Sequence, residues 1–148
     1  MADWRQEIDS LFKSQGFEKK IPELSAEDEL AIQEFQDNIG KPALENFSDE
    51  LNSFQNIRAE VIVSKKDAEA LMEQVELTIY KMAQAKLTYR LKFLKKKEGG
   101  VFLSSEYSIP NIYGENTRFH NSTLDRPLAG TTEDDIANDF SEILKSKF

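Results

Sequence analysis

The sequence predicts an α+β fold: N-terminal helices, a four-stranded antiparallel meander, and a C-terminal helix packed on one face of the sheet. Three observations carry this expectation. Apolar residues recur at helical spacing toward both ends of the chain. Between those stretches the apolar period drops to two, the spacing of a half-buried strand. The strand-like stretches follow one another through short connections, which suit antiparallel neighbours rather than the crossovers of a parallel sheet.

The first helix is expected over residues 2–14. Trp4, Ile8, Leu11 and Phe12 fall on one helical face, and Gly16 is a suitable stop. Residues 17–24, with Pro22, read as a connector. Ser25 then offers a cap, and Asp28 three residues later completes an acidic capping box. Glu27, Asp28 and Glu29 place negative charge where the helix dipole favours it. The stripe Ile32, Phe35, Ile39, Ala43, Phe47, Leu51, Phe54 follows, interrupted by Gly40 and Pro42. An interior proline costs about 3 kcal/mol and kinks a helix. The stripe nevertheless keeps its phase. The expectation is either one bent helix or two nearly coaxial ones, with Pro42 in the first turn of the second.

The period then changes. Ile57, Ala59, Val61 and Val63 alternate with Arg58, Glu60 and Ile62, and residues 65–70 read as a turn. A second strand places Val75, Leu77 and Ile79 on one face. A third places Leu87, Tyr89, Leu91 and Phe93 together, with Thr88, Arg90 and Lys92 opposite. Gly99-Gly100 supplies a turn into a fourth strand over about 101–107. Residues 108–130 read as irregular, with a short strand at 117–120 as an option. Thr132 and Asp135 form a second capping box, and Ile136, Phe140, Ile143 and Leu144 share one face of the last helix. The whole is read as a single domain over 1–148: helix and connector over 1–24, long or kinked helix over 25–55, sheet and irregular loop over 56–130, and terminal helix over 131–148.

Charge divides along the chain, whose formal net charge is −8. Residues 1–56 hold 5 basic and 13 acidic side chains, and residues 57–98 hold 10 basic and 6 acidic. Residues 99–148 hold 4 basic and 8 acidic. The acidic balance argues against nonspecific nucleic-acid binding and suits a protein partner with a basic surface. The alternative is that basic sheet and acidic helices attract within one fold.

The inventory of chemical motifs is thin. There are no cysteines, so disulfides, thiolate metal sites and cysteine nucleophiles are excluded. A single histidine excludes a paired-histidine metal site. The sequence holds no P-loop, no dinucleotide fingerprint and no nucleophile elbow. No cofactor and no metal are therefore expected. The first-turn carboxylates Glu133, Asp134 and Asp135 are explained by the helix dipole. No apolar run is long enough to span a bilayer, and the first residues hold no apolar signal core. The reading is a soluble, cytoplasmic protein. Lys95, Lys96 and Lys97, with Arg90 and Lys92, read first as protection of a hairpin tip and second as a phosphate contact.

Two functions are compatible with these features. The first is a noncatalytic interaction module, such as an adaptor, a secretion-type chaperone or an immunity-like inhibitor. Its partner surface is the acidic helical region, with Phe35, Ile39, Glu34, Asp37 and Trp4 as binding residues. Self-association of this surface as a homodimer is the variant of that reading. The second is a small-ligand binder or enzyme with a cavity between sheet and helices near Arg118, His120, Asp125 and Arg126.

Overall fold

The structure is a computed structural model that describes residues 4–16, 25–64, 74–95, 100–116 and 118–148. The turn expected at 65–70, the connector at 17–24, and Lys96, Lys97 and Gly99 lie outside the described residues.

Helix α1 spans Trp4–Ser14. Helix α2 (Ala26–Phe35) begins at the expected capping box. The Ser25 hydroxyl accepts from the Asp28 amide, and the Asp28 carboxylate accepts from the Ser25 amide. A π-helical segment, Gln36–Gly40, leads without a break into α3 (Lys41–Asn52). The two expected geometries are thus reconciled by a bulge. Pro42 sits at the start of α3, where its missing N–H is tolerated. The Lys41 amide reaches back to the Gln36 carbonyl, the i→i−5 bond of a π turn. Gly40 belongs there because a Cβ would come within 3.2 Å of the Phe35 ring and 3.1 Å of Gln36 Oε1.

The sheet has five strands rather than four: β1 (Ile57–Ser64), β2 (Gln74–Lys81), β3 (Gln84–Lys95), β4 (Val101–Ser108) and β5 (His120–Pro127). They lie in sequence order and every neighbouring pair is antiparallel. The fifth strand, at 120–127, lies within the stretch expected to be irregular and takes the place of the optional 117–120 strand, while residues 109–116 and 118–119 are irregular as expected. Its residues, His-Asn-Ser-Thr-Leu-Asp-Arg-Pro, carry no apolar alternation, and only Leu124 among them is buried. An edge strand needs one paired side only. A bulge also disrupts its period: Ser104 pairs with Asp125 and Glu106 with Asn121, so Ser105 faces Ser122, Thr123 and Leu124. Helix α4 (Glu133–Lys147) follows, opened by the Thr132–Asp135 capping box.

Alternation along β3 sends Leu87, Tyr89, Leu91 and Phe93 into the core, as the pattern predicts. Ile32, Phe35, Ala43 and Leu44 from the α2–α3 stripe join them, with Ile136, Phe140 and Ile143 from α4. Phe35 meets Phe93 edge-on with ring centroids 6.0 Å apart. Phe140 stacks on Phe47 at 4.7 Å and tilts against Tyr89 at 5.1 Å. The stripe ends before Phe54, which is exposed beyond the last turn of α3.

Two polar devices fix the framework. On β1, the Asn52 carboxamide accepts from the Ala59 amide at 2.7 Å and donates to the Ala59 carbonyl at 3.0 Å. Ser48 also donates to that carbonyl, at 3.0 Å. On α4, the buried Asp139 carboxylate accepts from Tyr89 (2.7 Å), Ser105 (2.6 Å), Ser122 (2.5 Å) and Thr123 (3.3 Å). Burial pushes the Tyr89 phenol well above its ordinary value, and the neighbouring Asp139 charge pushes it further.

Removing the carboxylate orphans the Tyr89 and Ser105 hydroxyls, at about 1–3 kcal/mol for each unsatisfied buried group. Asp139→Ala is expected to lower unfolding free energy by roughly 2–5 kcal/mol. Tyr89→Phe removes a single donor and is expected to cost about 1–2 kcal/mol. Urea denaturation measures both, and equal losses would contradict the shared anchor.

Candidate functional site

A groove of about 690 Å³ lies between the α2–π wall and the turn that joins β5 to α4. On the helical side it is lined by Asp28, Ala31, Glu34 and Phe35 of α2, with Asn38 and Ile39 from the π segment. Val101 and Phe102 of β4 and Leu128 beyond β5 face them. Phe35, Asn38 and Ile39 reach the same groove because positions i, i+3 and i+4 share one helical face.

The opposite wall is held by backbone pairing. The Leu128 amide donates to the Val101 carbonyl at 2.9 Å, and the Thr131 hydroxyl donates to the Pro127 carbonyl at 2.8 Å. Arg126 fastens this turn to α4 through an ion pair with Asp135 at 2.9 Å. Gly130, at φ +83°, supplies the left-handed residue that the turn requires.

The rim is acidic on the α2 side. The Asp28 carboxylate pairs with Lys95 at the end of β3, so the first turn of α2 is tied to the sheet. The hydrogen bond from Lys95, supplemented by Ser25, holds the Asp28 carboxyl below its ordinary range. Asp135 is likewise lowered, chiefly by the Thr132 amide and also by Arg126. Glu34 has no ionic or hydrogen-bond partner among the described residues. Asp37 accepts from Gln33 at 3.1 Å, one turn away.

Of the residues expected at a partner surface, Phe35, Ile39 and Glu34 therefore meet at one groove. Phe35 contributes there while also packing in the core at 6% exposure. Asp37 is exposed nearby in the chain but does not line the groove. Trp4 lies apart from them on α1, a helix with no buried residue. Its apolar stripe stands in solvent, with Trp4 63%, Ile8 45%, Leu11 54% and Phe12 48% exposed.

The second set of candidates does not assemble into one site. His120 pairs across the sheet with Tyr107, with ring centroids 5.4 Å apart. Ser122 donates to Asp139, away from any role beside His120. Arg118 and Asp125 are exposed, and Arg126 is engaged by Asp135. None of Arg118, His120 and Asp125 lines the groove. Basic residues on β3 are engaged as well. Arg90 lies between Glu76 (3.5 Å) and Glu106 (2.6 Å) beneath the Phe119 ring, and Lys92 approaches Glu106 at 3.4 Å. Among the described residues no cluster of three or more His, Asp or Glu side chains is arranged to hold a metal. No helix among them is long and apolar enough to cross a membrane.

A second, smaller cavity lies at the β2–β3 turn, lined by Tyr80, Met82, Ile112 and Tyr113 among others. Met82 and Ala83 form that turn at φ +50° and +71°, a conformation costly for residues with a Cβ. Asn111 closes the neighbouring loop by accepting from the amides of Tyr113 and Glu115. The sequence reading passes over both features.

The lowered carboxyls give a signed pH dependence. Each contributes stability that is complete above the ordinary aspartate value of 3.8 and is lost as pH falls through its depressed value. The melting temperature is expected to drop between about pH 4 and pH 2. The double variant Asp28→Asn, Asp135→Asn is expected to start lower at neutral pH and lose less over that interval. Parallel melting curves for the two proteins would show that these pairs do not brace the groove walls.

No family model matches the chain, and neither a curated protein nor a solved structure matches it, so the groove is interpreted from its own geometry.

Proposed function

We propose that the protein is a noncatalytic interaction module of the adaptor, chaperone or inhibitor type, and that its groove receives an apolar polypeptide segment carrying basic residues. The observation that carries this reading is the groove itself: an apolar floor of Phe35, Ile39, Val101 and Leu128 beside the carboxylate of Glu34, which has no partner among the described residues. Apolar side chains supply most of the affinity in such grooves, and a rim charge chooses orientation and partner sign. In this reading the sheet, with α4 laid on one of its faces, is the scaffold. Its two anchored walls hold the groove open in advance, which lowers the ordering cost of binding.

The test places a photoreactive phenylalanine analogue at Asn38, an exposed lining position, in the native host. Illumination is expected to give an adduct with a polypeptide segment containing apolar residues and Lys or Arg. Ala31→Arg, which puts bulk and positive charge on the exposed wall, is expected to reduce adduct yield at least ten-fold. Adducts to small molecules alone, or an adduct that survives Ala31→Arg, would defeat the reading.

A further inference from the structure

We infer that the segment received by the groove is helix α1 of a second copy of this chain, exchanged reciprocally to form a two-fold dimer. The inference rests on the interaction reading above and names its partner. Two surfaces of one chain carry it. Trp4, Ile8 and Leu11 present a continuous apolar stripe on α1, and no residue of that helix is buried. The groove presents an apolar lining of matching kind.

The dimensions agree. From Trp4 to Leu11 the stripe runs about 10 Å at 1.5 Å per residue. The helical wall of the groove, from Asp28 to Ile39, runs about 16 Å by the same rise. Charge selects an orientation. The segment 26–37 carries Glu27, Asp28, Glu29, Glu34 and Asp37 and no basic residue. On α1, at 100° per residue, Arg5 flanks the apolar stripe on one side, with Asp9 farther round on that side, and Glu7 flanks it on the other. Docking with Arg5 toward Glu34 places opposite charges together and turns Glu7 away from the acidic wall.

Among the described residues, α1 leaves its stripe exposed and contributes nothing to the lining of the groove. A second copy supplies both a helix and a groove. Exchange then satisfies both pairs through one isologous interface. It also forms the contact twice, which counts toward the roughly 1,200–2,000 Å² that specific interfaces bury.

Trp4 is the sole tryptophan and reports docking directly. The full-length chain is followed by sedimentation and by tryptophan emission across a protein dilution series. The expected result is a doubled mass at high concentration with a blue shift over the same range. Ile8→Ser with Leu11→Ser, both at exposed positions, is expected to give a monomer with red-shifted emission. Ala31→Arg is expected to weaken dimerisation at least ten-fold. Mixing these two variants is decisive, because the intact helix of one meets the intact groove of the other. Equimolar mixing is expected to restore a dimer that neither forms alone. A blue-shifted monomer would overturn the inference in favour of docking within one chain. A dimer whose Trp4 stays in solvent, or one indifferent to Ala31→Arg, would overturn it in favour of another interface. A chain that stays monomeric with Trp4 in solvent at every concentration would overturn it too. If photocrosslinking from Asn38 then still captures another polypeptide, the interaction reading survives and only the identity of its partner is wrong.

Discussion

One buried carboxylate holds the two halves of this fold in register. Asp139 lies on the apolar side of α4, where a charge is expensive unless hydrogen bonds replace its hydration. Hydroxyls from β3, β4 and β5 do so together. Each donor comes from a different place in the sheet, so α4 cannot slide or rotate without breaking several bonds at once. The β5 bulge belongs to the same arrangement, since it brings both Ser122 and Thr123 to one carboxylate. The position of α4 then fixes its first turn, and Arg126 relays that position to the wall of the groove.

Much of this was legible in the residues, for local reasons. Capping boxes act within four residues, and Ser25–Asp28 and Thr132–Asp135 form as their spacing implies. Strands β1 to β3 show a period of two because their core-facing side chains are apolar. Strand β5 hides because its inward-turned groups are hydroxyls serving Asp139. A signal for this was present: Asp139 falls in phase with Ile136, Phe140 and Ile143, so a carboxylate interrupts an otherwise apolar face. The facing wall of the groove had no such signal. Val101 and Leu128 meet Phe35 and Ile39 only through long-range topology, which periodicity does not encode. Phe35 and Ile39 were visible because they belong to a stripe, whereas Arg126 looked like a ligand-binding cation and serves as a brace.

The junction of α2 and α3 shows how a local defect is absorbed without ending the helix. Pro42 cannot donate a hydrogen bond, and Gly40 leaves no room for a larger side chain beside Phe35. A regular helix would have had to kink. The π turn instead absorbs one extra residue and keeps the helical axis continuous. The bulge lies in the same segment that supplies Asn38 and Ile39 to the groove beside Phe35.

The clasp between Asn52 and Ala59 has a consequence for what the sheet can become. An outer strand normally offers its amides and carbonyls as a template on which another chain can crystallise, strand upon strand. Here a single side-chain amide imitates that missing neighbour at Ala59, satisfying donor and acceptor together. A chain adding along β1 would have to evict it, or begin at Val61 and pair with the four described strand residues 61–64. That is shorter than the usual strand of about five or six residues. The last turn of α3 thus acts as a chain terminator on the β1 edge of the sheet, where one asparagine stands in the place the next strand would begin.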